Sequence, residues 1–208
     1  MSALIEGYRR FRETEWREER ARWSELAEGQ DPKVMVIACS DSRVDPSQIF
    51  DASPGEMFVV RNVGALVPPF ETDPSHHGVS AALEFAVTQL AVEDVVVMGH
   101  GLCGGCAASL TGRFDDAHPG EGHFIARWID LLRPAREKVR RECPELDDRA
   151  FRMMEQEAVR VSLQNLRTFP FIQEREAAGR LKLHGAVFAI TDGVLHLLDP
   201  ATDEFKAC

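Results

Sequence analysis

Short, mainly apolar runs recur along the chain, with polar or turn-forming residues between them. Residues 33–38 and 95–100 are such runs, and residues 57–62 form a third after a Ser-Pro-Gly turn at 53–55. Runs of about six residues suit β-strands and are too short for typical helices. Because apolar and polar positions do not alternate within them, these runs are typical of central parallel strands covered by helices on both faces.

Helices are predicted where apolar residues recur with a helical spacing. These segments are residues 79–92, 105–111, 121–142 with a break at Pro134, and 148–168. Near the end, residues 185–190 and 194–199 flank an Asp-Gly turn, which predicts an antiparallel hairpin. The alternation of strands and helices predicts an α/β fold, in which helices flank a mostly parallel central sheet with an antiparallel edge strand.

The first part of the chain is highly charged and differs from the rest. Residues 3–28 are predicted to be helical, yet their apolar side chains are scattered. A stripe this thin does not hold a surface helix by itself, so we expect this N-terminal helical arm to lie against a partner surface. We therefore expect one domain over residues 1–208, with a dimerisation arm at 1–28 and an α/β core at 33–200.

Composition excludes several classes of function. A net charge of −10 argues against a nucleic-acid partner, because phosphate binding needs clustered Lys and Arg. No apolar run approaches the roughly 18 residues of a membrane span, and the N-terminus lacks the apolar segment of a secretory signal. These features predict no membrane association and a cytoplasmic location.

Five cysteines occur in a chain that is too long to need disulfide staples. In a reducing compartment such thiols are buried, metal-bound or catalytic more often than they are paired. Their positions relative to the predicted strands therefore decide which of them carry chemistry.

Two of the apolar runs end at side chains that bind metals. Cys39 ends the first run, and His100 and Cys103 lie in the Gly-His-Gly-Leu-Cys-Gly-Gly segment that ends the third. Loops at the carboxyl ends of parallel strands line the functional crevice of an open α/β sheet, so these side chains can converge. Two thiols and an imidazole are donors that zinc prefers, and three protein ligands leave the open position of a catalytic site.

Asp41 and Arg43 follow Cys39 closely. Two thiolates neutralise the charge of a zinc ion, so water bound to it needs help to lose its proton near neutral pH. Asp41 can accept a hydrogen bond from the resulting hydroxide and orient it, or can be a fourth zinc ligand in an inactive state. Arg43 can keep that carboxylate ionised through a bidentate pair.

Each feature has a simpler interpretation when it is taken alone. A cysteine at a strand end is most often a small buried hydrophobe, and Asp-x-Arg is usually a surface pair worth ~0–1 kcal/mol. The Cys-Gly-Gly-Cys segment at 103–106 also matches a thioredoxin-like dithiol at a helix start. That alternative leaves Cys39, Asp41 and His100 without roles.

The paired motifs resemble those of the β-class carbonic anhydrases. The similarity rests on Cys-Ser-Asp-Ser-Arg-Val at 39–44 and on Gly-His-Gly-Leu-Cys-Gly-Gly at 99–105, and it extends through residues 54–69 and 78–87. In that family the Cys of the first motif and the His and Cys of the second hold zinc. The resemblance therefore implies a Zn²⁺ cofactor and the same three ligands that the strand ends suggest.

The activity implied by the resemblance is reversible hydration of CO₂ to bicarbonate and a proton. Zinc-bound hydroxide would attack the carbon atom while Asp41 and Arg43 orient it. The implied partners are CO₂ and bicarbonate, and the implied assembly is a homodimer or a dimer of dimers whose N-terminal helices embrace the partner.

Five further positions match the substrate site of the family. Phe58, Val63 and Phe85 match a small apolar pocket, although position 85 often carries tyrosine in plant-like members. Gln30 matches a glutamine that reaches the substrate across the dimer interface in the plant-like subgroup, and the backbone N–H of Gly104 is expected to contact a substrate oxygen. Core packing for the apolar trio and a loop role for Gln30 are the alternatives.

The residues before Cys39 bear on regulation. Members with an inhibitory bicarbonate pocket carry Trp three residues before this cysteine and Gly directly before it, whereas this chain has Val36 and Ala38. We therefore expect a plant-like member without that pocket.

Two other functions stay open on the sequence alone. The same fold and zinc site could act on carbon disulfide or carbonyl sulfide, because such relatives differ in access to the site and not in ligands. A zinc-stabilised binding module without enzymatic activity would have a closed fourth position and no need for Arg43.

Overall fold

The computed structural model describes residues 1–208 and divides into two units, Met1–Asp31 and Pro32–Cys208. The smaller unit is helical, with α1 over Ser2–Glu13, α2 over Glu15–Glu18 and α3 over Arg20–Glu28, and none of these three helices contains a buried residue. None of the helices in the chain combines the length and the apolar composition needed to cross a bilayer.

The prediction that residues 3–28 are helical is correct in type but wrong in continuity. In one straight helix, Phe11 and Trp23 would lie about 18 Å apart along the axis. Their ring centroids are instead 5.7 Å apart, in an edge-to-face contact. The helix breaks at Thr14, whose hydroxyl donates to the carbonyl of Arg10. Packing of the two aromatic rings therefore outweighs the continuation of the helix.

Six strands form the central sheet of the larger unit. They are β1 (Val34–Cys39), β2 (Met57–Asn62), β3 (Asp94–His100), β4 (Lys182–Ala189), β5 (Val194–Asp199) and β6 (Glu204–Ala207). Their order is β2-β1-β3-β4-β5-β6; the first four run parallel, and β5 and β6 are each antiparallel to the preceding strand in that order. The predicted parallel sheet and its hairpin are confirmed, but the edge beyond the hairpin is β6, which the sequence did not predict.

Seven helices surround this sheet. They are α4 (Pro46–Ile49), α5 (Gly78–Glu84), α6 (Gly104–Thr111), α7 (His123–Ile129), α8 (Arg133–Glu142), α9 (Asp148–Leu166) and α10 (Pro170–Ala177). The predicted helix over 79–92 changes to π-helix at Phe85–Gln89, and a 3₁₀ turn at Asp130–Leu132 separates α7 from α8. Both helices that were not predicted, α4 and α10, start with proline, whose fixed φ suits a first helical turn.

Strand β1 is covered on both faces, as its apolar sequence predicts. Met35 and Ile37 pack into one buried cluster, whereas Val36 and Ala38 pack into another. Its register pairs Ala38 with Met98 of β3, so these two strands end almost level with each other. The side chains that follow them therefore emerge at one edge of the sheet.

Close packing of α9 on the sheet depends on two glycines. A Cβ atom on Gly99 of β3 would lie 2.8 Å from a methyl carbon of Val159, and one on Gly185 of β4 would lie 2.9 Å from the other methyl. Because residues four apart share a helix face, Glu155 also faces the sheet. This packing places an acidic side chain beside the loop that follows β3.

Candidate metal centre

The side chains of Cys39, His100 and Cys103 converge at the carboxyl ends of β1 and β3. One sulfur or nitrogen atom of each lies within 4.8 Å of the others, and all three residues are buried. The backbone N–H of Gly64 points at the Cys39 sulfur over 3.4 Å. The structure thus brings together the three ligands predicted from the strand ends.

The imidazole of His100 is oriented as a metal ligand. Its Nδ1 donates to the carbonyl of Gly101 over 2.8 Å, which leaves the lone pair on Nε2. That Nε2 atom is buried and has no hydrogen-bond partner in the protein. An unpaired buried polar atom costs about 1–3 kcal/mol, so a cation between the three donors would satisfy the site.

Neighbouring thiols and burial oppose the ionisation of both cysteine ligands. Interaction with the Cys103 thiol, together with burial, raises the pKa of Cys39 to about 12. The pKa of Cys103 is also raised to about 12, chiefly by the neighbouring Cys106 thiol. A divalent cation offsets this effect because thiolate is the ligand form of cysteine. The donor set therefore fits a positive ion better than it fits solvent.

Asp41 is held by Arg43 in a bidentate ion pair. Arg43 Nε donates to Asp41 Oδ1 over 2.9 Å and Nη2 donates to Oδ2 over 2.7 Å, while the Arg43 amide also donates to Oδ1. These bonds hold the pKa of Asp41 well below its usual range. Arg43 also donates to the carbonyl of Leu102, which joins the two ligand loops. Asp41 is outside the three-donor group, so it is not placed as a fourth ligand here.

Arg61, which sequence reasoning missed, organises the loop after β1. From β2, its Nε donates to the carbonyl of Cys39 over 2.9 Å and its Nη1 donates to Asp45 over 2.9 Å. Its Nη2 donates to the carbonyls of Asp41 and Val44 over 2.6 and 3.3 Å. One guanidinium therefore satisfies four acceptors of this loop. In the sequence, this role is indicated by an arginine within a mainly apolar predicted strand.

Glu155, also missed, supports the loop after β3. This buried side chain of α9 accepts a hydrogen bond from the Cys103 amide over 3.3 Å. Burial raises the pKa of Glu155, and bonds from the amides of Cys103 and Leu102 oppose that rise in part. Leu102 has a φ of 58°, an unfavourable value for a leucine. The carboxylate thus helps to hold a strained backbone next to the side chain of a candidate metal ligand. In the sequence, this role is indicated by a glutamate on the apolar face of a predicted helix.

Two of the predicted substrate residues lie beside the three donors. Val63 is directly followed by Gly64, and a Cβ atom on Gly105 would lie 2.9 Å from a methyl carbon of Val63. Gly104 begins α6, and apart from its chain neighbours and the backbone of its own helix no atom lies within 4 Å of the position that its Cβ would take. Open space and an apolar wall therefore meet next to Cys103.

The two aromatic residues of the predicted substrate pocket lie elsewhere in the larger unit. Phe58 and Phe85 contact each other with ring centroids 5.9 Å apart, and Phe85 is 44% exposed. Cys39 pairs with Asn62 of β2, so Phe58 is four residues, or about 13 Å, back along that strand. Within one chain, the structure does not bring this pair to the metal centre. Gln30 is in the smaller unit, and its role stays a prediction.

Comparisons with known proteins agree on one family. The family model described as carbonic anhydrase matches residues 34–195. A relative named beta carbonic anhydrase 3, from Arabidopsis thaliana, is 37% identical over 193 residues, which are 92% of this chain and 74% of the relative.

Solved structures show the same fold. The β-carbonic anhydrase CcaA superposes with a TM-score of 0.92 at 31% identity, over 100% of this chain and 92% of that one. A chain from the structures of two tetrameric β-carbonic anhydrases of the filamentous ascomycete Sordaria macrospora gives a TM-score of 0.82 at 28% identity, over 95% of each chain. The first similarity spans the whole chain and therefore includes the candidate metal centre and the sheet that carries it.

The role of Arg61 is tested by the variant Arg61→Lys. Lysine keeps the charge but cannot reach four acceptors, so we expect the free energy of unfolding to fall by about 2 kcal/mol. We also expect divalent-metal affinity to fall roughly 10- to 100-fold, as for other residues that support ligands. Urea denaturation and competition with a chelating dye measure the two effects.

The matched control is Arg133→Lys, which alters an exposed ion pair with Asp130. It should change stability by less than about 0.5 kcal/mol and leave metal affinity unchanged. Equal effects of Arg61→Lys and Arg133→Lys on stability and on metal affinity would contradict the organising role of Arg61.

The support given by Glu155 is tested by comparing Glu155→Ala with Glu155→Gln. Alanine leaves the buried Cys103 amide without an acceptor, so metal affinity should fall roughly 10- to 100-fold. Glutamine keeps a carbonyl oxygen in place and should restore most of that affinity, as measured by dye competition. Gln156→Ala, on the same helix, serves as the control and should bind metal normally; failure of glutamine to rescue would contradict the hydrogen-bond role.

Proposed function

This chain belongs to the β-class carbonic anhydrase family, and from that premise we propose that it catalyses the zinc-dependent, reversible hydration of CO₂ to bicarbonate and a proton. Family membership makes it an enzyme, so the non-enzymatic alternative is dropped. The named relatives are carbonic anhydrases and do not favour turnover of carbon disulfide or carbonyl sulfide.

One observation carries the proposal: a buried sulfur, nitrogen and sulfur cluster includes an imidazole nitrogen without a partner. Thiolate and imidazole donors suit zinc, and three of them leave one tetrahedral position for a small molecule. When bound there, zinc would supply the Lewis acidity that makes water nucleophilic near neutral pH. Cys39, His100 and Cys103 would hold the ion.

Asp41 is suited to orient the attacking water. An ionised carboxylate only accepts hydrogen bonds, so it selects the orientation in which the water donates. Oδ1 already accepts bonds from the amide and Nε of Arg43, whereas Oδ2 accepts only one, from Nη2. The free lone pair is therefore on Oδ2, and Arg43 fixes where that lone pair points.

Val63 and Gly104 are suited to receive the substrate. CO₂ has no net dipole, so the exposed apolar side chain of Val63 can face it without a loss of hydrogen bonds. The N–H of Gly104 belongs to the first turn of α6, where amide groups have no partner within the helix. That group can donate to the oxygen atom that becomes negative during hydration.

A second copy of the chain would complete the site. The paired aromatic side chains Phe58 and Phe85 lie too far along the sheet to line the metal centre of their own chain. The apolar residues Leu4 and Tyr8 of α1 are 73% and 57% exposed, as expected for an arm that binds a partner. The similar Sordaria macrospora enzymes are tetrameric. We therefore include a homodimer, or a dimer of dimers, in the proposal.

The proposal also includes a cytoplasmic location. Cys39 and Cys103 must stay as thiols or thiolates to bind a metal, and a reducing compartment maintains that state. All five cysteines are unpaired in the structure.

Two variants separate metal binding from catalysis. Cys39→Ser should lose both zinc and CO₂ hydration, because one of three ligands is gone. Asp41→Asn should keep zinc but lose roughly 10²- to 10⁴-fold in kcat/KM, because the acceptor that positions the water is weakened. Stopped-flow hydration assays and metal analysis of the same samples measure both quantities.

The controls are Cys143→Ser, a buried thiol outside the centre, and Asp130→Asn, an exposed carboxylate paired with arginine. Both should keep zinc and activity. Zinc and full rate in Cys39→Ser would refute the ligand assignment, and full rate in Asp41→Asn would refute the orienting role.

Association is tested by the double variant Leu4→Ser/Tyr8→Ser. Removing two exposed apolar side chains from α1 should weaken self-association, so the oligomer should dissociate at a concentration at least tenfold higher than for the wild type. Analytical ultracentrifugation measures this, with Glu6→Gln on the same helix as the control. Unchanged association would place the interface elsewhere.

A further inference from the structure

Cys106 is a buried thiol that the proposed mechanism does not use. It is three residues after Cys103, which caps the N-terminus of α6, and both side chains are only 3% exposed. Both side chains belong to the same cluster of buried residues, one at the cap and the other in the first turn of α6. Cys106 is nevertheless outside the group formed by Cys39, His100 and Cys103. It therefore contacts the metal centre through one ligand and is not itself a ligand.

The local backbone lets these two thiols react with each other. Residues three apart on a helical turn have Cβ atoms about 5–6 Å apart, and a disulfide needs about 3.5–4.5 Å. The two intervening residues, Gly104 and Gly105, carry no side chains that would resist a change of the local backbone, and a shift of about 1–2 Å closes the gap. A Cys-x-x-Cys pair at a helix start is also the arrangement of reactive dithiols.

We propose that Cys103 and Cys106 form a peroxide-sensitive dithiol whose oxidation to a disulfide releases the zinc ion. This inference rests on the proposed function, since it takes Cys103 as a zinc ligand. A disulfide sulfur is not a thiolate and does not hold zinc, so Cys39 and His100 would remain as the only two protein ligands. Oxidation of one pair of sulfurs therefore switches the centre off, and reduction restores it.

The chemistry balances with hydrogen peroxide as the oxidant. The sulfur of Cys103, as thiolate, first attacks one oxygen of the peroxide; the O–O bond breaks and, with uptake of one proton, a sulfenic acid and one water molecule form. The sulfur of Cys106 then attacks this sulfenic sulfur, the S–O bond breaks, and its hydroxyl leaves with the Cys106 proton as a second water. Two thiols have lost two electrons in total, and one peroxide has become two waters.

Access to these buried sulfurs follows from the enzymatic reaction. CO₂ and bicarbonate must both reach the space beside Gly104, next to Cys103. Hydrogen peroxide has only two heavy atoms, fewer than either of them, so a route that admits substrate also admits the oxidant. Burial limits larger oxidants and does not exclude this one.

The experiment treats zinc-loaded protein with increasing amounts of hydrogen peroxide. Zinc release is followed with a chelating dye, and the disulfide is located by mass spectrometry of alkylated peptides. The expected result is one zinc released per Cys103–Cys106 disulfide, with zinc binding restored by dithiothreitol and added zinc. In Cys106→Ala and Cys106→Ser, at least tenfold more peroxide should be needed for half release. Cys143→Ser should respond as the wild type does.

The outcomes separate this inference from the proposed function. Equal peroxide sensitivity of the wild type and both Cys106 variants, or a mapped Cys39–Cys103 disulfide, would overturn the dithiol assignment while leaving the zinc enzyme intact. A protein that binds no zinc would refute the proposed function, and with it the switch, even if the Cys103–Cys106 disulfide still formed.

Discussion

The register between β1 and β3 is the constraint on which the metal centre depends. Ala38 of β1 lies opposite Met98 of β3. Cys39 follows Ala38 at the end of β1, and His100 follows Met98 by two residues at the end of β3. A shift of one residue would turn the buried side chains of β1 to the other face of the sheet and would move Cys39 out of its present position at the end of the strand. What prevents the shift is the core: Met35 and Ile37 are fully buried on one face while Val36 and Ala38 fill the other. Apolar packing thus sets the positions of donors that are themselves polar.

Strand register fixes where the ligand loops start, but charged side chains fix their shape. Arg61 holds the first loop from β2, Glu155 holds the second from α9, and Arg43 joins the two. Charges near a protein interior are tolerated only where they are paired or fully hydrogen-bonded, and each of these three meets backbone groups that would otherwise lack partners. The same bonds limit local opening of the loops, so the donors are held close together before any ion arrives. A centre built in this way needs little reorganisation on binding.

How much of the fold and of the candidate site could be predicted from the sequence depends on how far apart the interacting residues lie along the chain. The strands that end at Cys39 and His100 follow from local apolar runs, and their convergence follows from the general rule for parallel sheets. The roles of Arg61 and Glu155 could not be read from the sequence, because their partners are 22 and 52 residues away and only the folded chain brings them together. The break in the N-terminal helix is a similar case, since the contact between Phe11 and Trp23 is tertiary. Strand β6 was missed because it has only four residues, Glu-Phe-Lys-Ala, which is the lower limit of length for a polar and apolar alternation to indicate a strand.

The positions of the apolar residues argue that metal binding and catalysis have different structural requirements. All three donors belong to one chain: Cys39 and His100 end strands whose register the core fixes, and Cys103 caps α6, so a single copy can hold the ion. Val63 and Gly104 lie next to this centre, but Phe58 is displaced by about 13 Å along β2, and no rotation of a side chain covers that distance. If Phe58 helps to enclose substrate, as the family resemblance implies, a neighbouring copy must present it. Self-association would then be a condition of turnover, because it closes an apolar pocket around a centre that each chain has already built.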